Sequence, residues 1–460
     1  MYEPKIVAFL CTWCSYTGAD TAGIARLKYP SNLRAIRVPC SGRLSPEIIM
    51  RTFDQGADGV LVLGCHIGEC HYDSGNHRTA KRIPALRALM EFVGLEPQRL
   101  GLDWVSASEW ERFARIVNEF TEKVRSLGPV HWRVTGEIAL PEDLFREIAE
   151  ESEAIYPRDA QELLDVKTQA IRRKAKEILA SQQVECVIGY EVGPHGQTRP
   201  VFVYEPGEAY RLVWNQECTH NLTTYLSERF RQAQLGKKAQ EPKPVAVVAK
   251  PCDSLAINVL VAENHISRDM VYVIGITCDG IYERPKGYMV STQPVLQARC
   301  QFCAERVPQV YDFLIGEAAP VAAQVTTPDH EPVEYLESLT PSQRMEFWLS
   351  QFDRCIRCYA CRQACPLCNC PSCLYESDDS LWVGMGIGVN EKRTFHLGRA
   401  YHLAGRCIGC NECERVCPME IPVGLLNLKL GKEVMTRFGF RPGLAPVPSP
   451  FTTILAGEEG

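Results

Sequence analysis

Apolar positions near the start of the chain fall in short runs separated by polar stretches of helical period. Lys5 to Leu10 is an apolar strand pattern, Leu33 to Val38 a weaker one and Gly59 to Leu63 a third. Helical patterns lie between them, around Gly18 to Leu27 and Ser45 to Gln55. Strands alternating with helices predict an open α/β sheet. The pattern returns further on: Val184 to Tyr190, Val201 to Tyr204, Pro244 to Ala249 and Val271 to Ile276 read as strands of a second, parallel sheet. Between the two, Pro141 to Glu151 and Asp159 to Leu179 carry mixed charge at helical spacing and read as solvated helices. Glu346 to Phe352 is a short amphipathic helix, and another helix follows from Gly424. The expected fold class is α/β. An open parallel-sheet domain spans 1–129 and a helical connector 130–183. A second α/β domain spans 184–320, an α+β module 344–431 and a Pro/Gly-rich tail 438–460.

Cysteine changes this picture from architecture to chemistry. Twenty-two of the 460 residues are cysteine, in tight local groups. Such grouping favours metal binding over disulfides. Cys355, Cys358, Cys361 and Cys365, then Cys407, Cys410, Cys413 and Cys417, each form C-x2-C-x2-C-x3-C followed by Pro. That is the bacterial two-cluster ferredoxin spacing, in which the fourth cysteine of each run ligates the other cluster. The expectation is one [4Fe-4S] group on Cys355, Cys358, Cys361 and Cys417 and another on Cys407, Cys410, Cys413 and Cys365. Cys368, Cys370 and Cys373 lie in the insertion between the runs and exceed the eight that the motif needs.

Elsewhere the cysteines follow strands. Cys11 and Cys14 follow the first strand, Cys40 the second, Cys65 and Cys70 the third. Strand carboxyl ends share one edge of a parallel sheet, where sites form. Five thiols exceed one four-ligand site, and the choice among them stays open. His66 and His71 beside Cys65 and Cys70 offer a two-histidine alternative, with a polar supporting role preferred. In the second sheet Cys252 and Cys278 follow strands, and Cys300 and Cys303 form a C-x2-C pair. Four thiolates there suit a third [4Fe-4S] group or, alternatively, structural zinc. Cys186 and Cys218 read as core thiols.

Net charge is −6, which does not suggest nucleic acid or an anionic membrane as partner. No run of eighteen apolar residues exists, and the start lacks the pattern of a secretory leader, so the expected location is cytoplasmic. No H-E-x-x-H or P-loop occurs, and no Ser-His-Asp grouping has a convincing context.

C-T-W-C-S-Y-T-G-A-D (Cys11 to Asp20), P-C-S-G-R (Pro39 to Arg43) and A-D-G-V-L-V-L-G-C-H-I-G-E-C-H-Y (Ala57 to Tyr72) resemble the delta (iron-sulfur) subunit of methyl-viologen-reducing hydrogenases. The resemblance implies one [2Fe-2S] group and electron delivery to the flavin subunit of a heterodisulfide-reductase complex. K-P-C-D-S-L-A-I, G-I-T-C and C-Q-F-C in the middle segment resemble the beta subunit of coenzyme F420 hydrogenase and formate dehydrogenase. That resemblance adds FAD as a possible cofactor, although Glu217 to Leu226 lacks the glycine expected around a flavin.

The combined expectation is a multi-cluster electron-transfer component of an electron-bifurcating oxidoreductase, holding one [2Fe-2S] and three [4Fe-4S] groups. Its expected partners are an electron-donating oxidoreductase and a heterodisulfide-reductase-like flavin subunit, with no substrate site of its own. The alternatives are a flavin-bearing subunit exchanging hydride with F420 or NAD(P)H, and a zinc scaffold without redox chemistry.

Overall fold

The computed structural model describes residues 2–130, 158–193, 197–235, 243–283, 295–301, 303, 305–317, 331–377, 383–451 and 453. The predicted helix at Pro141 to Glu151 lies outside them.

The N-terminal sheet has four parallel strands in the order β2-β1-β3-β4: β1 (Ile6–Cys11), β2 (Leu33–Val38), β3 (Gly59–Gly64) and β4 (Leu100–Trp104). The central strands β1 and β3 are almost wholly buried, as continuous apolar runs in parallel sheets are. Strand β4 was not legible, because L-G-L-D-W is short and mixes Gly and Asp with its apolar positions. Helices α1 (Ser15–Ile24) and α4 (Trp110–Leu127) cover one face. Helices α2 (Pro46–Asp54) and α3 (Gly75–Phe92) cover the other.

The second sheet is mixed. Its order is β9-β8-β7-β5-β6, with β5 (Val187–Val192), β6 (Thr198–Val203), β7 (Val245–Ala249), β8 (Val271–Ile276) and β9 (Phe313–Ile315). Strands β5, β7, β8 and β9 run parallel. Strand β6 pairs antiparallel with β5, correcting the all-parallel expectation. The six-residue register, Val187 opposite Val203 to Val192 opposite Thr198, is that of a hairpin, and a direct reversal brings an edge strand back antiparallel. Helices α5 (Arg158–Ala180), α6 (Thr223–Leu235) and α7 (Pro251–Ala262) pack with this sheet.

The C-terminal part is built from α8 (Glu331–Ser338), α9 (Pro341–Arg354), α10 (Val389–His402) and α11 (Gly424–Phe438), with the cysteine loops between them. Helix α9 starts at a capping box, in which Thr340 accepts from the Gln343 amide and Gln343 accepts from the Thr340 amide. Phe347, Trp348, Phe352, Leu397 and Leu425 join the core under α2 and α3, while Leu367 and Leu403 join the core of the second sheet. The C-terminal part therefore packs against both sheets. Polar contacts fasten each side. Arg393 pairs with Asp54 on α2, both side chains 1% exposed, and Tyr375 donates to buried Glu47 at 2.6 Å. On the other side, Arg406 pairs with Glu263 and Arg299 with Glu412, the latter at 2.7 Å.

Candidate functional site

The register of the first sheet decides where its cysteines meet. Cys11 stands opposite Val38 and Leu10 opposite Leu63, so the loops after β1, β2 and β3 leave at one edge. Cys11, Cys14, Cys40, Cys65 and Cys70 gather there. The Cys11 and Cys65 sulfurs are 3.5 Å apart, and those of Cys40 and Cys70 are 3.7 Å apart. The Gly42 amide donates to Cys40 Sγ at 3.4 Å. Gly75, at the start of α3, must lack a side chain, since a Cβ there would lie 2.1 Å from Cys40 Sγ. The hydrogen bond with Cys65 and burial together push the Cys11 thiol well up, and burial pushes Cys40 up to about 11. His66 is engaged by Glu109 at 2.6 Å, and His71 stacks on Trp13 at 3.7 Å.

Cys252 lies in the first turn of α7, just after β7, and Cys278 follows β8. With Cys300 and Cys303 they line a cavity of about 230 Å³. Cys407, Cys410 and Cys413 of the second ferredoxin-type run line the same cavity. Arg299 stands at this junction. It donates to the carbonyls of Cys410 and Thr219 and to Glu412, so the two cysteine sets share one buried cation. Lys250, also buried, donates to the His220 carbonyl at 2.6 Å and to Tyr190, and its ammonium lies 3.0 Å from Asp253. Burial opposes the charge on Lys250, and Asp253 outweighs it. Burial, ahead of the neighbouring thiols, raises Cys278 to about 11. Cys186 and Cys218 are fully buried in the second core, apart from this cavity lining.

The two ferredoxin-type runs share one backbone path. Arg357 and Gly409, at matching positions, both have positive φ (52° and 70°), as do Tyr359 and Asn411 (60° and 50°). Each run then enters a four-residue helix, Ala360–Gln363 and Glu412–Arg415. Cys355, Cys358, Cys361 and Cys417 line one small cavity of about 20 Å³. Backbone amides approach the sulfurs there, Arg357 N to Cys355 at 3.3 Å and Ile421 N to Cys417 at 3.5 Å. Cys365 interacts electrostatically with Cys407, Cys410 and Cys413. A hydrogen bond from Cys368 draws the Cys365 thiol down to about 6. Arg399, buried on α10, donates to the Cys361 carbonyl at 2.8 Å, and its charge faces Cys368, Cys413, Cys361 and Cys365. The three supernumerary cysteines separate: Cys368 packs with the second core, Cys373 packs against the cluster that holds Cys355 and Tyr375, and Cys370 is exposed. His396 is buried against Phe352, and burial lowers it to about 3.

Arg299, Arg399 and Lys250 were not anticipated from the sequence. Nothing in their local sequence separates them from surface basic residues, as Q-A-R-C-Q around Arg299 shows.

The expected cofactor inventory needs correction. Among the described residues, no group of three or more His, Cys, Asp or Glu side chains is arranged to hold a metal ion. This overturns the assignment of one [2Fe-2S] and three [4Fe-4S] groups. The shortest sulfur contacts at the N-terminal edge are pairwise, thiol to thiol, rather than around one centre. FAD was only a possible cofactor of the middle segment, and the metal-site finding does not bear on it. The stretch that would border it is packed into the core: Cys218, Leu222, Thr223 and Leu226 are fully buried, and the Leu222 amide and Thr223 hydroxyl are taken up by Asp253. No helix among the described residues is long and apolar enough to cross a membrane.

Two family descriptions match the chain: "Methyl-viologen-reducing hydrogenase, delta subunit" over residues 6–128 and "4Fe-4S dicluster domain" over residues 351–421. The vhc iron-sulfur subunit of the F420-non-reducing hydrogenase of Methanococcus voltae is 48% identical over 128 residues, 28% of this chain and 89% of that one. The F420-non-reducing hydrogenase iron-sulfur subunit of Archaeoglobus profundus is 47% identical over 128 residues, 28% of this chain and 93% of the relative. One subunit of the ferredoxin/F420H2-dependent CoB-CoM heterodisulfide reductase of Methanosarcina acetivorans is 46% identical over 138 residues, 30% of this chain and 17% of that protein. All three similarities are confined to less than a third of this chain. Through its first sheet and the thiols at that sheet's edge, the chain belongs to the family of the methyl-viologen-reducing hydrogenase delta subunit.

Proposed function

We propose that this chain is an iron-sulfur electron-transfer component of a larger oxidoreductase related to the F420-hydrogenase and heterodisulfide-reductase systems. In this reading it passes electrons between a donor enzyme, such as a hydrogenase or formate dehydrogenase, and a flavin subunit of heterodisulfide-reductase type that bifurcates them. The segments 1–129, 184–320 and 344–431 are its three functional units, and it works in the cytoplasm. The electron-carrying ligands are Cys11, Cys14, Cys40, Cys65 and Cys70 at one end and the eight cysteines of the ferredoxin-type runs at the other. Cys252, Cys278, Cys300 and Cys303 serve between them. The names of the relatives, hydrogenase iron-sulfur subunits and a heterodisulfide reductase subunit, support this reading.

The observation that carries it is the shared cavity. Cysteines from two separate parts of the chain, Cys252 to Cys303 and Cys407 to Cys413, line one space of about 230 Å³. A chain that bound its groups independently would have no reason to bring them together. The protein's own contribution is electrostatic. Arg299 and Arg399 place buried positive charge among thiols that burial otherwise keeps protonated, and the loop amides of Arg357 and Ile421 reach the sulfurs.

The test is reconstitution. The chain, purified without oxygen, is placed between dithionite-reduced methyl viologen and a purified heterodisulfide-reductase flavin subunit. Flavin reduction that depends on the chain, with iron and acid-labile sulfide bound to it, is the expected outcome. Zinc without iron, or flavin reduction that proceeds equally well without the chain, overturns it.

A further inference from the structure

Strand β2 is an edge strand of the first sheet, and among the described residues no helix covers it. Arg34, Ala35, Ile36 and Arg37 are all exposed. Parallel sheets are ordinarily covered on both faces. On the α2 side, the uncovered part forms a groove of about 850 Å³. Its floor is Val7 and Phe9 of β1 with Ile36 and Val38 of β2, which share one face by register, and Ile48 of α2 forms a wall. Ile36 is 44% exposed, a large aliphatic left open to water. Arg34 and Arg43 stand on the rim with no carboxylate partner among the described residues. Arg51, beside them, reaches Glu391 only at 3.5 Å.

We infer that this groove seats an acidic amphipathic helix of a partner subunit. The missing layer of a doubly covered sheet is a helix, so a helix suits the space better than a strand. An apolar stripe fits the Val7, Phe9, Ile36 and Val38 floor, and acidic residues along its edge meet the guanidinium groups of Arg43 and of Arg34, which otherwise donates only to the Ser31 carbonyl. The upper end of the groove is Pro39, whose carbonyl accepts from Cys11 Sγ and which precedes Cys40. A helix seated here ends beside the N-terminal thiols. That its owner is the subunit exchanging electrons with those thiols rests on the proposed function; the seat itself rests only on the groove.

The probe is a fluorescein-labelled peptide of about sixteen residues, roughly four helical turns, with Leu along one face and Glu along the other. A version with Lys in place of Glu and a version with the same residues in scrambled order serve as comparisons. Fluorescence anisotropy with the full chain is expected to show the acidic amphipathic peptide binding about tenfold or more tightly than either. The R34E/R43E double variant and Ile36→Asp, each checked for unchanged circular dichroism and Tm, are expected to weaken it by a similar factor. A photocrosslinking residue at position 36 is expected to label the acidic peptide. Equal affinity for all three peptides, or unchanged affinity in both variants, overturns the inference. So does crosslinking from position 36 to another part of the same chain that the peptide fails to displace. Binding is measured without any redox step, so its failure leaves the reconstitution result untouched, and the reverse also holds.

Discussion

The two ferredoxin-type runs are the same motif in two surroundings. Both carry C-x2-C-x2-C-x3-C, both turn through positive φ at matching positions, and both end in a four-residue helix. The first, from Cys355, faces a small space of about 20 Å³ lined only by the C-terminal part and is backed by Tyr375, which reaches Glu47 of the N-terminal sheet domain. The second, from Cys407, opens onto the cavity lined by the cysteines of the middle sheet and is tied there by Arg299 and Glu412. Local sequence sets the shape of each loop. Its neighbours set what each loop can exchange with.

The comparison breaks most strongly at the first junction. Arg393 and Asp54 form a pair with both side chains 1% exposed. Removing one partner of such a pair costs about 3–5 kcal/mol, because the other charge stays buried. Arg393→Met is therefore expected to lower stability by that amount in urea unfolding. The R393M/D54L double variant is expected to recover most of the loss.

Glu47 gives the next largest effect. Burial opposes its ionisation, but His402 at 2.9 Å and Tyr375 outweigh burial and lower it to about 2 from an ordinary 4.5. A group depressed in the folded state stabilises fully above its unfolded value, so this contribution is complete above about pH 4.5 and is lost as the pH falls towards 2. Such a shift corresponds to roughly 3 kcal/mol at neutral pH. The stability difference between the wild type and Glu47→Gln should shrink steadily across that window. A difference that stays constant with pH would show that the junction does not depend on the carboxylate.

Gly409 sharpens the comparison within the loops. It has φ of 70° with nothing within 4 Å of an added Cβ, so Gly409→Ala meets only the left-handed penalty, about 1–2 kcal/mol. Gly75→Ala meets a different obstacle, since the new methyl group would strike Cys40 Sγ. It is expected to alter the accessibility of Cys40 and Cys70 to thiol reagents, while the loops around Cys355 and Cys407 react as before. The smallest effect is expected at Thr340→Ala. It removes the cap of α9 for about 1 kcal/mol and should leave both cysteine loops unchanged by circular dichroism and thiol titration.

Much of the fold was legible. Strands β1, β3, β7 and β8 are largely apolar runs and β2 a weaker one broken by Arg34 and Arg37, and the cysteines after them mark where they end. Strand β4 was not, since a five-residue edge strand with Gly and Asp carries no clear period. The antiparallel return of β6 was also missed, because spacing along the chain does not state a strand's direction. Of the candidate site, the cysteine groupings were visible as motifs. The buried cations among them were not, because Lys250, Arg299 and Arg399 look like surface residues until their partners are known.

The sequence by itself determined the local devices: which stretches become strands and helices, which loops carry thiols, and which family the first 128 residues resemble. These depend on neighbours a few residues apart, through backbone conformation and hydrophobic period. Only the tertiary structure decided that the second ferredoxin-type run shares its cavity with Cys252, Cys278, Cys300 and Cys303, while the cavity of the first is lined by residues of the C-terminal part alone. It also overturned the cofactor inventory that spacing suggested. Spacing states which thiols can reach one another, whereas packing and buried charge determine how their sulfurs are set.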